Sequence, residues 1–368
     1  MRLSDRGGGA LSVATAKGMT MRAAYAVKLG GDAPLDNLEI GQRPLPEPGR
    51  GEVRVRVHAV TLNHHDYFTL RGIVGYPIQP PRILGCDAAG VVDAHGADVG
   101  QLAPPIGTDV VVYPVRFCGV CPACFGPDPM LCRRFTMLSD GDVEGSLAEY
   151  VVVPAQAAVP KPVSLDFAQA ACMGVSFLTA YRMLFVKAAL EPGQCVLVQG
   201  AGGGLATAAI QLASAAGCTV IVASRSEERR AAALRIGAHH AIESGKDAAK
   251  AVLRLTGGDG VDAVVESVGE ATWGTSLRAV RQGGTVVVAG ATAGSNPPAD
   301  LSRIFWRQLR ILGSTMGSMP EFVRLLRFVD ERGIKPAVAA SFDWGGIKIA
   351  FERLASGDHF GKLVVTID

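Results

Sequence analysis

The chain has 368 residues, of which 48% are hydrophobic and 19% charged, with a formal net charge of +2. That length suggests two domains, each able to bury a core, and the composition excludes an intrinsically disordered polymer. A near-neutral balance without a basic run leaves no electrostatic footprint for nucleic acid or an acidic membrane surface, and no uninterrupted apolar stretch is long enough to span a bilayer.

Residues 1–20 lack a secretory apolar core and cleavage site of the usual kind and read as a flexible leader. The strand-like pattern starts near Met21. VRVRVHAV alternates, DVVVYPV and AEYVVVP follow, and Pro and Gly punctuate them, which predicts a β-rich first domain. At Asp166 the pattern changes, and LDFAQAACMGVSFLTAYRMLF reads as a largely buried helix. From Gly193 onward the strands CVLVQG, TVIVAS, VDAVVES and TVVVAG alternate with the helices LATAAIQLASAAG, SEERRAAALRIG and the stretch from Thr272 to Val280. Such alternation predicts a doubly wound parallel α/β sheet covered on both faces. The helix PEFVRLLRFVDERG and a closing strand, GKLVVTI, complete the chain.

CVLVQGAGGGLATAAIQLA is a strand, a glycine turn and a helix, the arrangement that brings backbone N–H groups and a helix N-terminus against a pyrophosphate. Gly200, Gly203, Gly204 and Leu205 are the candidate contacts, although the strict G-x-G-x-x-G spacing is absent. An acidic residue at the end of the second strand would hold the ribose hydroxyls of NAD. Here Ser224 stands there instead, followed by Arg225 and, one helical turn on, Arg229. A hydroxyl and guanidinium groups suit a 2′-phosphate, so the sequence favours NADP(H); the plainer reading makes the arginines a solvated helix start.

Eight cysteines in a long chain of intracellular character do not suggest a disulfide scaffold, and a cytoplasmic location is expected. Cys118, Cys121, Cys124 and Cys132 are spaced C-x2-C-x2-C-x7-C. Four thiolates fill a tetrahedral Zn²⁺ shell and leave no position for water or substrate, so one structural ion per chain is expected. Its binding energy would fold a loop too poor in apolar residues to build a core.

GCDAAGVV, the four-cysteine segment, the glycine turn, TWGTSLRAVRQGGTVVVAGAT, FWRQLRILGSTMGS and HFGKLVV together make the chain similar to the medium-chain dehydrogenase/reductase superfamily. Within it, the likeness is to zinc-binding alcohol dehydrogenase-like and quinone oxidoreductase-like members. The resemblance implies a GroES-like substrate domain over residues 21–175 and 316–368, carrying the structural zinc lobe, and a Rossmann domain over 176–315, with the active site between them. It places Thr179, Val268, Gly290, Ala291 and Lys362 at the cofactor. It also implies pairing of subunits through the strand TVVVAG into a homodimer or homotetramer.

Catalytic-zinc ligand positions of the alcohol dehydrogenases fall, by the same resemblance, on Asn63, Cys86 and Val175, with Asp87 in place of a glutamate. An amide is a poor zinc ligand and valine none. His64, His65, Cys86, Asp87 and Cys172 lie near these positions and are the residues from which a shifted site could be built. Asn63 and Asp66 form N-x-x-D, resembling zinc-free quinone oxidoreductases. The implied chemistry is NADPH-dependent reduction of conjugated enones, enals or quinones. Asn63 would donate to the carbonyl or cofactor, and Asp66 would orient its loop. Tyr76 is either a proton donor or an aromatic packing the cleft edge. Two other readings are a zinc-dependent alcohol or aldehyde dehydrogenase with shifted ligands, and a non-catalytic NADPH-binding sensor or structural protein.

Overall fold

A computed structural model describes residues 18–72, 78–101 and 103–367. Ten strands come first: β1 (Thr20–Ala26), β2 (Leu38–Pro44), β3 (Glu52–Thr61), β4 (Arg82–Ile83), β5 (Ala89–His95), β6 (Asp109–Val112), β7 (Val115–Arg116), β8 (Thr136–Met137), β9 (Tyr150–Pro154) and β10 (Ala158–Pro160). Two short helices, α1 (His64–Leu70) and α2 (Pro122–Phe125), interrupt them. The strands predicted at VRVRVHAV, DVVVYPV and AEYVVVP are therefore present as β3, β6 with β7, and β9.

Asp166 starts the helical run, as its position in the sequence suggested. Its carboxylate accepts from the Gln169 N–H at 2.7 Å, and the Asp166 N–H in turn donates to Gln169 Oε1 at 3.4 Å, forming a reciprocal cap. The run comprises α3 (Phe167–Ala171), a π-helical stretch Met173–Phe177, α4 (Leu178–Tyr181) and a second π-helical stretch Arg182–Lys187. The domain limit placed after residue 175 falls inside this run.

The alternating half follows: β11 (Cys195–Gln199), α5 (Gly204–Ala215), β12 (Thr219–Ser224), α6 (Glu227–Arg235), β13 (His240–Glu243), α7 (Ala248–Leu255), β14 (Val261–Glu266), α8 (Glu270–Ala279), β15 (Val280–Val288), α9 (Leu301–Trp306) and β16 (Arg310–Gly313). All six strands are parallel, in the order β13-β12-β11-β14-β15-β16. The order reverses between β11 and β14, which opens a crevice at their carboxyl ends. Both faces are covered. Val196 and Val198 join one core with Ile210 of α5, while Leu197 joins another with Val252 of α7 and Leu277 of α8. Strands buried on two faces need unbroken apolar runs, which is why these four were legible in the sequence. The short β13 and α7 were not singled out there.

The chain then returns. α10 (Met319–Arg332) is capped by Ser318 and Glu321 and ends at Gly333, whose φ of +61° is left-handed. β17 (Val338–Phe342), α11 (Ile347–Ser356) and β18 (Lys362–Thr366) follow. β18 inserts into the seven-stranded sheet of the first half, antiparallel to β3 and parallel to β17. One correction concerns the sheet edge. TVVVAG was expected to be the pairing edge, but β15 lies between β14 and β16, and the edge belongs to β16.

Candidate active site and cofactor crevice

The glycine turn lies at the switch point. Gly200 leaves β11 with φ of +81°, a conformation that a side chain would strain, and Gly203 caps α5. Val268, Gly290 and Ala291 converge beside it. A Cβ on Gly200 would meet Val268 Cγ2 at 3.7 Å, and one on Gly269 would meet Ala291 Cα at 3.1 Å. The Ala293 N–H donates to Val268 O at 2.7 Å, which ties the two loops together. Leu205 is half-buried in the first turn of α5 and packs on the main core, and Thr179 is buried on α4 with its hydroxyl 3.8 Å from Met316 Sδ.

Sequence reasoning missed the group that shapes this wall. Glu266, fully buried at the end of β14, accepts from Val268 N at 2.9 Å, Gly269 N at 3.0 Å, Thr272 Oγ1 at 2.9 Å and Ser276 Oγ at 2.6 Å. The signal was an acid closing the apolar run AVV of VDAVVES. Its two oxygens are occupied by hydrogen-bond donors alone, and these bonds tie down the loop carrying Val268.

At the end of β12, Ser224 is buried and Arg225 is exposed, its guanidinium making no ion pair or hydrogen bond among the described residues. Arg229 departs from its expected role. Its guanidinium donates to Gly357 O and its stem fills the space over Gly202, where a Cβ would meet it at 3.0 Å. The residue overlooked beside it is Arg230, which donates to Ser224 O at 2.7 Å and closes the strand end. Of the arginines considered for a 2′-phosphate, Arg225 has its whole guanidinium free among the described residues, while Arg229 gives one nitrogen to Gly357 O.

Metal fit is clear at one place. Cys118, Cys121, Cys124 and Cys132 have their sulfurs within 4.8 Å of one another, the one group of three or more His, Cys, Asp or Glu among the described residues near enough to hold an ion. Neighbouring sulfurs stand 3.5–3.7 Å apart. A tetrahedron with Zn–S bonds of about 2.3 Å has edges of about 3.8 Å, so four thiolates in these positions suit the ion. The Val120 backbone N–H pulls the Cys118 thiol down to about 6, and the Cys124 N–H lowers Cys121. The lobe is tied to the body by Arg182, whose guanidinium donates to Asp128 at 2.5 Å and to Glu321 at 2.7 Å.

The expected reaction centre is built differently. Asn63 precedes α1, and Asp66 caps it: Asp66 Oδ2 accepts from Asn63 N at 2.8 Å and Oδ1 from Gly85 N at 2.9 Å. Asp66 is fully buried, and burial raises its pKa. Its oxygens are spent on backbone N–H groups, as expected of a residue that orients the loop. Asn63 corrects the expectation of a substrate-facing amide. Its Nδ2 donates to Asp87 Oδ2 at 2.8 Å and to Thr61 O at 3.2 Å, while Oδ1 accepts from Lys362 Nζ at 2.6 Å. Both amide hydrogens are committed. Tyr76 lies outside the described residues.

Lys362 lies where β18 crosses the glycine turn. The Gly361 N–H donates to Gly202 O at 2.9 Å, and a Cβ on Gly204 would come closer than 3.0 Å to Lys362 Cδ and stand 2.7 Å from Ser176 Oγ. The ammonium is buried, 4% exposed, and also donates to Leu62 O at 2.9 Å. Asp87, its counter-charge, takes Thr61 Oγ1 at 2.5 Å, and its other oxygen, Oδ1, is buried without a partner against Gly174. Cys86 is held as a thiol, its pKa pushed well up by burial and then by Asp66 and Asp87, and burial raises Cys172 to about 12. Burial, then the Lys362 charge, lower the pKa of His64. The residues weighed for a shifted metal site, His64, His65, Cys86, Asp87 and Cys172, do not bring three ligand atoms close enough together to hold an ion.

A dinucleotide crevice at a switch point, joined to a polar cluster under a returning strand, defines a two-domain nucleotide-dependent oxidoreductase. The comparisons agree. Residues 49–163 match the alcohol dehydrogenase GroES-like domain and residues 204–331 the zinc-binding dehydrogenase domain. A zinc-type alcohol dehydrogenase-like protein of Schizosaccharomyces pombe is 32% identical over 86% of this chain and 91% of its own. The crystal structure of an NAD-dependent alcohol dehydrogenase superposes with a TM-score of 0.88 at 38% identity, covering 95% of this chain and 100% of that one. A crotonyl-CoA carboxylase/reductase solved in complex with NADP gives 0.86 at 27% identity, covering 95% of each chain. The chain belongs to the medium-chain dehydrogenase/reductase superfamily. No helix among the described residues is long and apolar enough to cross a membrane.

Proposed function

We propose that the protein is an NADPH-dependent reductase of activated double bonds or quinones, working without a catalytic metal. One observation carries this reading: the Asn63–Asp87–Lys362 cluster supplies a buried charge and hydrogen-bond donors and no set of metal ligands. A plain ketone needs strong polarisation before it accepts hydride, whereas a conjugated carbonyl already places the developing charge on an oxygen that donors can hold. When bound, NADPH supplies the hydride. The chain's own part is to seat the pyrophosphate at the Gly203–Gly204 end of α5, to offer Arg225 to a 2′-phosphate, and to orient the nicotinamide between Thr179, Val268, Gly290 and Ala291. The four cysteines hold one structural zinc, and β16 is the edge through which two copies pair. A small molecule is the substrate. The likeness to a crotonyl-CoA carboxylase/reductase in complex with NADP supports the reading.

The test is NADPH oxidation over a panel of enones, enals and quinones, run beside alcohol oxidation with NAD⁺ and NADP⁺. Turnover of the panel with little alcohol oxidation is expected. The likeness to alcohol dehydrogenases favours a second reading, a zinc-dependent dehydrogenase with shifted ligands. A metal content of about two zinc ions per chain with alcohol turnover would establish it instead. Tight NADPH binding with no turnover of either class would leave the non-catalytic reading.

A further inference from the structure

Away from the crevice, the first half holds a cavity of about 420 Å³, within the roughly 300–1,000 Å³ that small-molecule sites occupy. It shares no lining residue with the cofactor crevice or with the Asn63–Asp87–Lys362 cluster. Its origin is topological. β1, β2 and β4 form a three-stranded sheet, β7 pairs with β8 alone, and β9 belongs to the seven-stranded sheet. Strands of all three border the cavity, and sheets without a common ladder twist apart and leave a gap between them. Met21, Ile83, Pro44, Pro46, Val143 and Val151 give it apolar walls. Two guanidinium groups stand against them. Arg43 makes no hydrogen bond or ion pair among the described residues and lies over the Tyr25 ring at 5.1 Å, with its Nε buried. Arg116 gives Nη2 to Val152 O at 3.1 Å and stands 3.9 Å from Glu52 Oε1, beyond a hydrogen bond. The acid on the facing loop is already engaged: Glu144 accepts from Ile83 N at 2.8 Å and stands 3.5 Å from Arg82, which fixes that wall in place.

We propose that this cavity is a second ligand site, for a small organic monocarboxylate with an apolar body, and that Arg43 receives the carboxylate. A cation without an acid of its own, set among apolar walls, selects a ligand that brings one negative charge and apolar surface together. A planar carboxylate meets the guanidinium fork with two parallel hydrogen bonds. A phosphate would bring up to two charges beside Asp142 and Glu144, and it has no surface to offer the apolar walls. The wall fixed by Glu144 needs little ordering when the ligand enters. The site stands whether or not the reductase reading holds.

The probe is 3-phenylpropionate, titrated by calorimetry into the full-length protein with and without NADP⁺. Neutral 3-phenylpropionamide, of the same shape, and inorganic phosphate are titrated beside it. Two variants locate the site. Arg43→Gln removes the charge, and Pro44→Trp narrows the cavity from an exposed position while keeping Arg43. The carboxylate should bind, with the same affinity whether or not NADP⁺ is present, and the amide and phosphate should bind at least about tenfold more weakly. Arg43→Gln should weaken the carboxylate roughly 10–100-fold, the worth of a charge-assisted hydrogen bond. Pro44→Trp should weaken it about tenfold or more, and both variants should keep NADPH affinity within about threefold of the parent. Four results would each overturn the proposal: no binding of the carboxylate, equal binding of the amide, tighter binding of phosphate, or loss of the carboxylate on adding NADP⁺, which would place it in the cofactor crevice. Binding that survives both variants would do the same. Should Arg43→Gln fail to fold, the amide comparison still decides the role of charge and Pro44→Trp the location.

Discussion

Gly204→Ala is a substitution whose sign is set by the neighbours of the new methyl, Lys362 before Ser176. Gly204 opens α5 with ordinary helical geometry, so alanine there loses no conformational ease and taken alone stabilises a helix by up to about 1 kcal/mol. The new methyl, however, would come closer than 3.0 Å to Lys362 Cδ and stand 2.7 Å from Ser176 Oγ. A flexible stem could normally swing aside, but this one is fastened at its tip to Leu62 O and Asn63 Oδ1. Displacing it weakens two charge-assisted hydrogen bonds, each contributing about 1.5–3 kcal/mol. The net expectation is a destabilisation of about 1–2 kcal/mol and a thermal midpoint lower by a few degrees. The decisive measurement repeats the substitution in a Lys362→Ala/Asp87→Asn background, where the stem is gone. There Gly204→Ala should be neutral or raise the midpoint, giving a coupling of about 2–3 kcal/mol between the two positions. Equal shifts in both backgrounds would refute the claim that Lys362 is clamped over the glycine turn.

Arg225→Ala should raise the dissociation constant for NADPH about tenfold and leave NADH unchanged, since a lost phosphate contact is worth roughly 1–2 kcal/mol; equal losses for both nucleotides would count against its 2′-phosphate role. Metal analysis should find one zinc per chain, and Cys132→Ser should lower that content and destabilise the lobe while sparing NADPH binding. Arg182→Met should destabilise the fold by about 3–5 kcal/mol, because it leaves buried Glu321 unpaired; a midpoint unchanged from wild type would show that the guanidinium does not anchor the lobe. His359, crowded and faced by His64, Arg229 and Lys362, has a lowered pKa. Its unfolded value is near 6.5, so the stabilisation from its neutral form is present above that pH and is lost as pH falls through the folded value. Thermal midpoints should therefore fall more steeply below about pH 6.5 in the wild type than in His359→Asn.

What the sequence could disclose follows from the range of its signals. Four strands of the six-stranded sheet were readable because strands buried on both faces are largely apolar, whereas the short β13 and β16 carry too little apolar sequence to stand out. The cysteine lobe was readable because ligand spacing is local: four thiols within one loop have few other ways to meet. Residues at the cluster were found, but not their bonds. Asn63 and Lys362 lie at opposite ends of the chain, and no local pattern shows that one amide oxygen meets that ammonium. The same limit explains Arg229, whose partner Gly357 is distant in sequence. It also explains the edge strand, because β16 is short and less apolar than β15, and only the pairing order shows which lies outside. Glu266 was overlooked because an acid within an apolar strand is legible only once its donors have been placed around it.

The seating of β18 between β3 and β17 bears on how the molecule is made. Its strand is made after the whole nucleotide-binding half, yet it fills a slot beside β3, which is made before that half. During synthesis the first half must wait with a side of β3 bare while the whole nucleotide-binding half emerges and folds. Truncating the chain before Lys362 would make that waiting state permanent, exposing a sticky flank and removing the lysine in one stroke.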